Sequence, residues 1–491
     1  MTLSPGVLAE LAEVTAVVTD PDLMRGYRRD EADLCEAGTP LAVVRPRSTA
    51  EVSAIVRIAA AHRIPLVPQG ARTGLAGAAN AIDGAIVVSM TAMDRVLEID
   101  AVNRLAVVQP GVVNARLAAA VAEEGLRYPP DPGSWDSSTI GGNVSTNAGG
   151  MCCVKYGVTS AFVLGLEIVL ADGEVLRCGR RTAKGVAGYD LTHLFVGAEG
   201  TLGIITEITV ALRPIADPGL TLAATFPSVA AAGAAVTAIV TSGATPSMLE
   251  LIDRTHLGAI EALRPMGLNQ PDSAPPIALL LAAVDTGERA PADIANLAAL
   301  CDAAGATETF TASDADEAAA LLAARRLAHP AMERLAHTTY GDGGALIIDD
   351  VAVPVSRLTE MIEGVDKISA ESGVPVGMIG HAGDGNLHPI IVVDRRDESS
   401  VEAGRRVFNA ILALGLSLGG TVTGEHGIGT LKRDWLATEL GPVGLRVHRA
   451  IKEALDPANL MNPGKVIAAH AVTPDAAPDA AAPDTTAPAA R

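Results

Sequence analysis

Aromatic side chains are nearly missing from this 491-residue chain: Phe, Tyr and Trp together make up 2% of it. Its cores must therefore be built from Ala, Val, Leu and Ile, and the 49% hydrophobic content supplies them. Positive charge is also scarce. Lys and Arg number 37 against 57 Asp and Glu, a formal net charge of -20. That balance argues against nucleic-acid binding, because counterion release needs a basic face. It also disfavours long-range steering of an anion, so an acidic substrate has to be captured by local cations or by a metal. The five cysteines, Cys35, Cys152, Cys153, Cys178 and Cys301, are odd in number and show no C-x-x-C spacing. They fit a reducing compartment and not a disulfide framework. No basic start followed by an apolar run opens the chain, so no signal peptide is expected and a cytoplasmic location is, with peripheral membrane attachment left open. The charge-free stretch 220–249 contains Pro227 and many Ala, Ser and Thr, and reads as strand 220–226, helix 228–241 and strand 246–252 instead of a membrane span. There is no G-x-G-x-x-G after a strand and no Gly-Lys-Ser/Thr, which excludes a Rossmann fingerprint and a P-loop. No internal repeat occurs.

Glycine is plentiful: 49 residues, clustered, as in loops shaped around a ligand. The length allows two or three domains. Residues 1–35 read as a polar helical segment. Residues 36–215 alternate short apolar runs with glycine loops, an α+β layout with several short sheets. Within it, Ser48 is placed to cap a helix over 48–62, with Glu51 as its capping-box partner. Residues 216–420 carry longer helices, including 291–304 and 314–327, and are expected to form an antiparallel sheet with helices on one face. Residues 421–466 return to glycine-rich loops that fold back onto the first domain. Residues 467–491 are almost all Ala, Pro, Thr and Asp, and a disordered tail is expected there.

Two C-terminal segments carry chemistry. One runs His381-Ala-Gly-Asp-Gly-Asn-Leu-His388, the other Thr423-Gly-Glu425-His426-Gly-Ile-Gly429. On a straight strand, residues seven apart face opposite ways. The Gly-Asp-Gly-Asn run is turn chemistry and can fold His381 and His388 towards one point. With Glu425 they make an N/O set for a divalent metal, with His426 as a spare imidazole beside it. Asp384 reads as a turn residue and Asn386 as a substrate contact.

Three glycine-rich loops stand in the first domain. In 65–77, Gly70, Gly74 and Gly77 leave backbone N–H groups open for a pyrophosphate. The second, 128–150, brings Ser137, Ser138, Thr139, Gly142, Asn143 and Asn147. The third is 188–206. Three such loops in one domain point to a large extended cofactor.

Together these segments resemble the flavoprotein family typified by vanillyl-alcohol oxidase and p-cresol methylhydroxylase, over about residues 40–466. The closest resemblance is to its branch of glycolate oxidase large subunits, D-lactate dehydrogenases and D-2-hydroxyglutarate dehydrogenases. The motifs are Gly-Ala-Glu-Gly-Thr-Leu-Gly, His-Ala-Gly-Asp-Gly-Asn-Leu-His-Pro, Gly-Glu-His-Gly-Ile-Gly and Leu-Met-Asn-Pro-Gly-Lys465. The resemblance implies a two-subdomain FAD-binding domain of the p-cresol methylhydroxylase type plus an α+β cap domain. It implies FAD, non-covalent because no histidine occupies 65–77. Pro68, Gln69, Gly70, Ala71, Arg72, Thr73, Gly74 and Gly77 would hold the pyrophosphate. Ser138, Thr139, Gly142, Asn143 and Asn147 would line the flavin and its linker. Glu199, Gly203 and Ile205 would sit near the adenosine end or the isoalloxazine edge, and Asn462 and Lys465 would reach back to the cofactor. His381, His388 and Glu425 match the metal ligands, with zinc favoured and manganese or iron open. His426 matches the base, and Arg325 the group that meets the substrate carboxylate.

The implied reaction is oxidation of a D-2-hydroxy acid. A lysine used for 2-hydroxyglutarate is matched here by Ile348, and Asp349 and Asp350 would add repulsion. D-lactate or glycolate is therefore favoured, with 2-hydroxyglutarate as the alternative. The electron acceptor is left open between an electron-transfer protein, a quinone chain and a partner subunit, and a homodimer is also left open. Two rivals remain: a metal-dependent hydrolase, which leaves the three loops unexplained, and a non-catalytic flavin-binding subunit.

Overall fold

The computed structural model describes residues 3–267 and 276–468. The tail expected from its composition lies, from residue 469 on, outside the described residues.

Two larger sheets build the N-terminal half, beside a two-stranded pairing of Leu126–Arg127 with Arg213–Pro214. The first has four strands, in the order Ala16–Val18, Ala42–Arg45, Ile86–Ser89, Leu66–Gln69. Its last three strands are parallel. Ser48 caps the helix Thr49–His62 by accepting from the Glu51 N–H, while the Glu51 carboxylate reaches back to the Arg47 N–H. This is capping-box chemistry closed one residue earlier than the usual pair. That helix packs Val52, Ile55, Val56 and Ala59 onto the sheet. The second sheet is antiparallel, in the order Val96–Asp100, Leu105–Val108, Ile204–Ala211, Val163–Val169, Val175–Gly179. The N-terminal segment is only partly helical. Its Pro5–Val14 helix is followed by Ala16–Val18, which pairs antiparallel with Ala42–Arg45 as an edge strand.

The cap is an eight-stranded sheet whose strands pair antiparallel throughout. Helices cover both of its faces, not one. Leu222, Ala224 and Phe226 turn to the face carrying Val229–Thr241, Ala290–Ala303, Leu358–Ser372 and Glu398–Ser417. Ala223, Met248, Ile252, Leu279 and Leu281 turn to the other, against Arg254–Leu263 and Ala315–Tyr340. The central strand Ala278–Val284 already carries this message, because it is apolar at every position. A strand that buries both sides does not alternate.

The long helix Ala315–Tyr340 runs past the expected end at 327 and through Pro330. Proline removes one backbone bond, while Ala324, Ala328, Ala331, Met332 and Ala336 bury one side of the helix on the sheet. Residues 421–466 are not loop alone. They contain the helix Leu436–Leu455, kinked where Gly441 (φ 67°) precedes Pro442. Beyond it the chain runs beside the first sheet, with Leu66 N–H bonded to Leu460 and Asn462 N–H bonded to Leu66, both at 2.8 Å.

Candidate active site

The hairpin Val376–His381 and Asn386–Asp394 brings the two histidines together. His381 lies opposite Asn386, and His388 lies opposite Ile379. The turn between the strands needs a left-handed residue, and Gly385 supplies it at φ 81°. Glu425 enters from the 423–429 loop. Its Oε1 lies 3.2 Å from Nε2 of His381 and 3.2 Å from Nε2 of His388. One ligand atom from each of the three residues lies within 4.8 Å of the others. Donors around a tetrahedral cation at ~2.1 Å sit about 3.4 Å apart, so the set fits a metal. Gly149 passes so close to the Glu425 carboxylate that a Cβ there would overlap it.

Two carboxylates hold the ligands in place. Glu250, fully buried, accepts from Nδ1 of His381 at 2.6 Å and from Nε of Arg325 at 2.6 Å. Asp350, also fully buried, gathers the 423–426 segment. Its Oδ2 accepts from Thr423 Oγ1 at 2.7 Å and from the N–H groups of Gly424, Glu425 and His426 at 2.8, 2.9 and 2.8 Å. Its Oδ1 faces Nδ1 of His388 at 3.6 Å. Both histidines turn Nε2 to the ligand set; the bond from Nδ1 of His381 to Glu250 fixes its tautomer, whereas Nδ1 of His388 faces Asp350 beyond hydrogen-bond distance. Asp349 does not face the substrate side either: it is buried and paired with Lys432 at 2.9 Å. The expected repulsion from Asp349 and Asp350 is thus replaced by internal pairing.

The field of these groups suits a cation. Burial works against charge on His381, but Glu250 and Glu425 outweigh it and hold the imidazole well above its usual range. Burial likewise opposes the Glu425 anion, yet His381 and His388 hold it well below the carboxylate range. His426 behaves differently. It stacks on His388 with centroids 4.8 Å apart and planes 6° from parallel. Burial drives its pKa down to about 4 against the pull of Asp350. At neutral pH the ring is therefore in its proton-accepting form.

These groups open onto a cavity of about 1250 Å³. That exceeds the ~300–1,000 Å³ of ordinary small-molecule sites. Its wall includes residues 68–74, then Thr139, Gly142 and Asn143, then Glu199, Gly203 and Ile205, and finally Arg325 with His381, His388, Glu425 and His426. Thr139 caps the short helix Ile140–Thr146, which runs through the second glycine loop. The Asn143 Nδ2 donor is buried on this wall with no partner among the described residues, as a site for a polar cofactor requires. Arg72 stacks over Tyr27 at 4.8 Å. Glu199 accepts from the N–H groups of Ile428 and Gly429 at 2.6 and 2.7 Å, and burial lifts its pKa to about 7.

Six residues expected at the cofactor or substrate, Gly77, Ser138, Asn147, Asn386, Asn462 and Lys465, do not line this wall. Asn147 ends the short helix in the left-handed region and accepts from the Ser160 N–H. Lys465 donates to the Gly77 carbonyl at 2.7 Å, and Asn462 to the carbonyls of Ala78 and Glu199. They brace the loops against one another. Ser138 is buried next to Thr139. Asn386 packs its side chain against Gly424 and does not line the cavity.

Glu250 and Lys432 escaped the sequence reading, and Asp350 entered it only as a source of repulsion. A lone Glu inside the wholly buried strand Met248–Asp253 is the signal that points to Glu250. The other two carry no local signal.

The FAD binding domain model matches residues 40–179, and the C-terminal domain model of FAD linked oxidases matches residues 219–466. The chain belongs to the FAD-linked oxidase family. It is 42% identical over 432 residues to the glycolate oxidase subunit GlcD of Bacillus subtilis, covering 88% of this chain and 90% of that protein. It is 33% identical over 482 residues to a D-lactate dehydrogenase of Anaerostipes hadrus, covering 94% and 98%. Among solved structures, p-cresol methylhydroxylase with substrate bound superposes with a TM-score of 0.77 at 19% identity, covering 95% of this chain and 98% of that one. The last comparison shows the shared fold: an FAD-binding domain of the p-cresol methylhydroxylase type with a separate cap.

Proposed function

We propose that this chain oxidises a monocarboxylic D-2-hydroxy acid, of the D-lactate or glycolate kind, to the 2-oxo acid. The observation that carries the reading is the convergence of His381, His388, Glu425, His426 and Arg325 on one wall of the FAD cavity. When bound, FAD supplies a two-electron acceptor, and a divalent metal on His381, His388 and Glu425 supplies positive charge that acidifies a nearby hydroxyl. Zinc is the first choice for two imidazoles and one carboxylate, with manganese or iron(II) as alternatives. Arg325 binds the substrate carboxylate. Its Nε is committed to Glu250, so the guanidinium is held in one orientation with its remaining donors free for recognition. His426 takes the hydroxyl proton on Nε2, its ring held by the stack on His388 and by the backbone bond to Asp350. Electrons leave to an external acceptor, for which an electron-transfer protein, a quinone chain or a partner subunit are the candidates.

Anaerobic mixing with D-lactate or glycolate tests the reading. Flavin absorbance should bleach with the wild type. With His426→Ala, bleaching should be lost while metal and flavin contents stay at wild-type levels. Bleaching at the wild-type rate by His426→Ala contradicts the assignment of the base.

A further inference from the structure

Beyond the ligand set, the cavity continues over an apolar floor. His388 lies beside Ile379 across the hairpin, and two residues along the same strand Ile390 lies opposite Ile348. Strand geometry places Ile390 about 7 Å from His388 and Ile348 about 5 Å further across. Leu346, two residues from Ile348, points to the same face. Ala328, one turn along the long helix from Arg325, roofs the stretch. All five residues line the cavity that also holds Arg325 and His388. Ile379 and Ile390 are each 3% exposed, so they form its base. The charged groups lining this side, Arg326, Glu333 and Arg395, are exposed at its edge.

We infer that this floor receives the side chain of the hydroxy acid, so that the preferred substrates are D-2-hydroxy acids bearing a linear or branched alkyl chain. The inference rests on the hydroxy-acid reading above and deepens it. Arg325 and the histidines fix the carboxylate and hydroxyl at one end. The remainder of the molecule then follows the apolar floor, with Arg326, Glu333 and Arg395 only at its exposed edge. A second carboxylate would lie unpaired on isoleucine, a costly placement for a charge. A hydrogen or methyl group, as in glycolate or D-lactate, leaves the floor uncovered. An alkyl chain covers it, and each buried methylene is expected to raise the specificity constant roughly fourfold, equivalent to ~0.8 kcal/mol.

The test uses the wild-type holoprotein and an anaerobic series of glycolate, D-lactate, D-2-hydroxybutanoate, D-2-hydroxy-4-methylpentanoate and D-2-hydroxyglutarate. The rate of flavin reduction divided by the apparent Kd should climb along the four monocarboxylic acids, with D-2-hydroxyglutarate far below the branched acid. In Ile348→Ala and Leu346→Ala, two substitutions at half-buried positions, the ratio of the branched acid to D-lactate should fall. A flat or descending series, or D-2-hydroxyglutarate in first place, overturns the groove while leaving the hydroxy-acid reading intact. An unchanged ratio in both variants overturns it too. Absence of bleaching by every acid overturns the groove together with the reading it rests on.

Discussion

Glu250 serves two partners with one buried carboxylate. In our reading it holds the tautomer of His381 as a metal ligand and the orientation of Arg325 as the substrate-binding group. A change there should be felt at both. In Glu250→Gln we expect metal affinity to fall ~10–100-fold, the range for groups that orient a metal-binding histidine. We also expect KM to rise, because Arg325 loses its anchor. Chelator competition reads the first and steady-state kinetics the second; unchanged metal affinity and KM together contradict the coupling. The legibility of the site divides along the same line. His381, His388 and Glu425 could be read from the sequence because turn chemistry between two histidines and an adjacent Glu-His pair are local patterns. Glu250 and Asp350 could not, because they reach the histidines only through strand pairing and loop return across 131 and 38 positions of the chain.

The 423–429 loop shows how an element without regular structure is made rigid. Four donors close on one oxygen of Asp350, and Glu199 secures the far end through Ile428 and Gly429. Removing the acceptor in Asp350→Ala strands those donors and leaves buried Lys432 with one anion fewer. The expected cost is on the order of 3–5 kcal/mol, the range for breaking a buried charged network. Thermal unfolding of the flavin-loaded protein measures it, and a melting temperature equal to the wild type contradicts the account of the loop. Other elements were legible in proportion to their local signals. The capped helix at 49–62 and the strand–helix–strand run from Leu220 to Asp253 follow from periodicity and turn residues. The continuation of the long helix through Pro330, and the helix hidden behind Gly441 and Pro442, do not. At Pro330 tertiary packing overrides a residue that normally ends a helix, whereas non-helical Gly441 ends one helix and Pro442 opens the next.

At the scale of the whole molecule, the two halves are tied at Asp285 of the cap. It accepts from Arg127 and Tyr156 of the FAD-binding half and pairs with Lys155. Among the described residues no helix is long and apolar enough to cross a membrane. With a net charge of -20 and an acidic substrate, local positive charge has to do the capturing. The account therefore stands on the metal. The direct measurement is flavin reduction in protein stripped of metal with a chelator, mixed anaerobically with D-lactate. The ligands lie on the cap and the 423–429 loop, apart from the glycine loops, so FAD should remain bound while bleaching is abolished. Added zinc, manganese or iron(II) should restore it. Bleaching of the metal-free protein at the full rate would contradict the central claim.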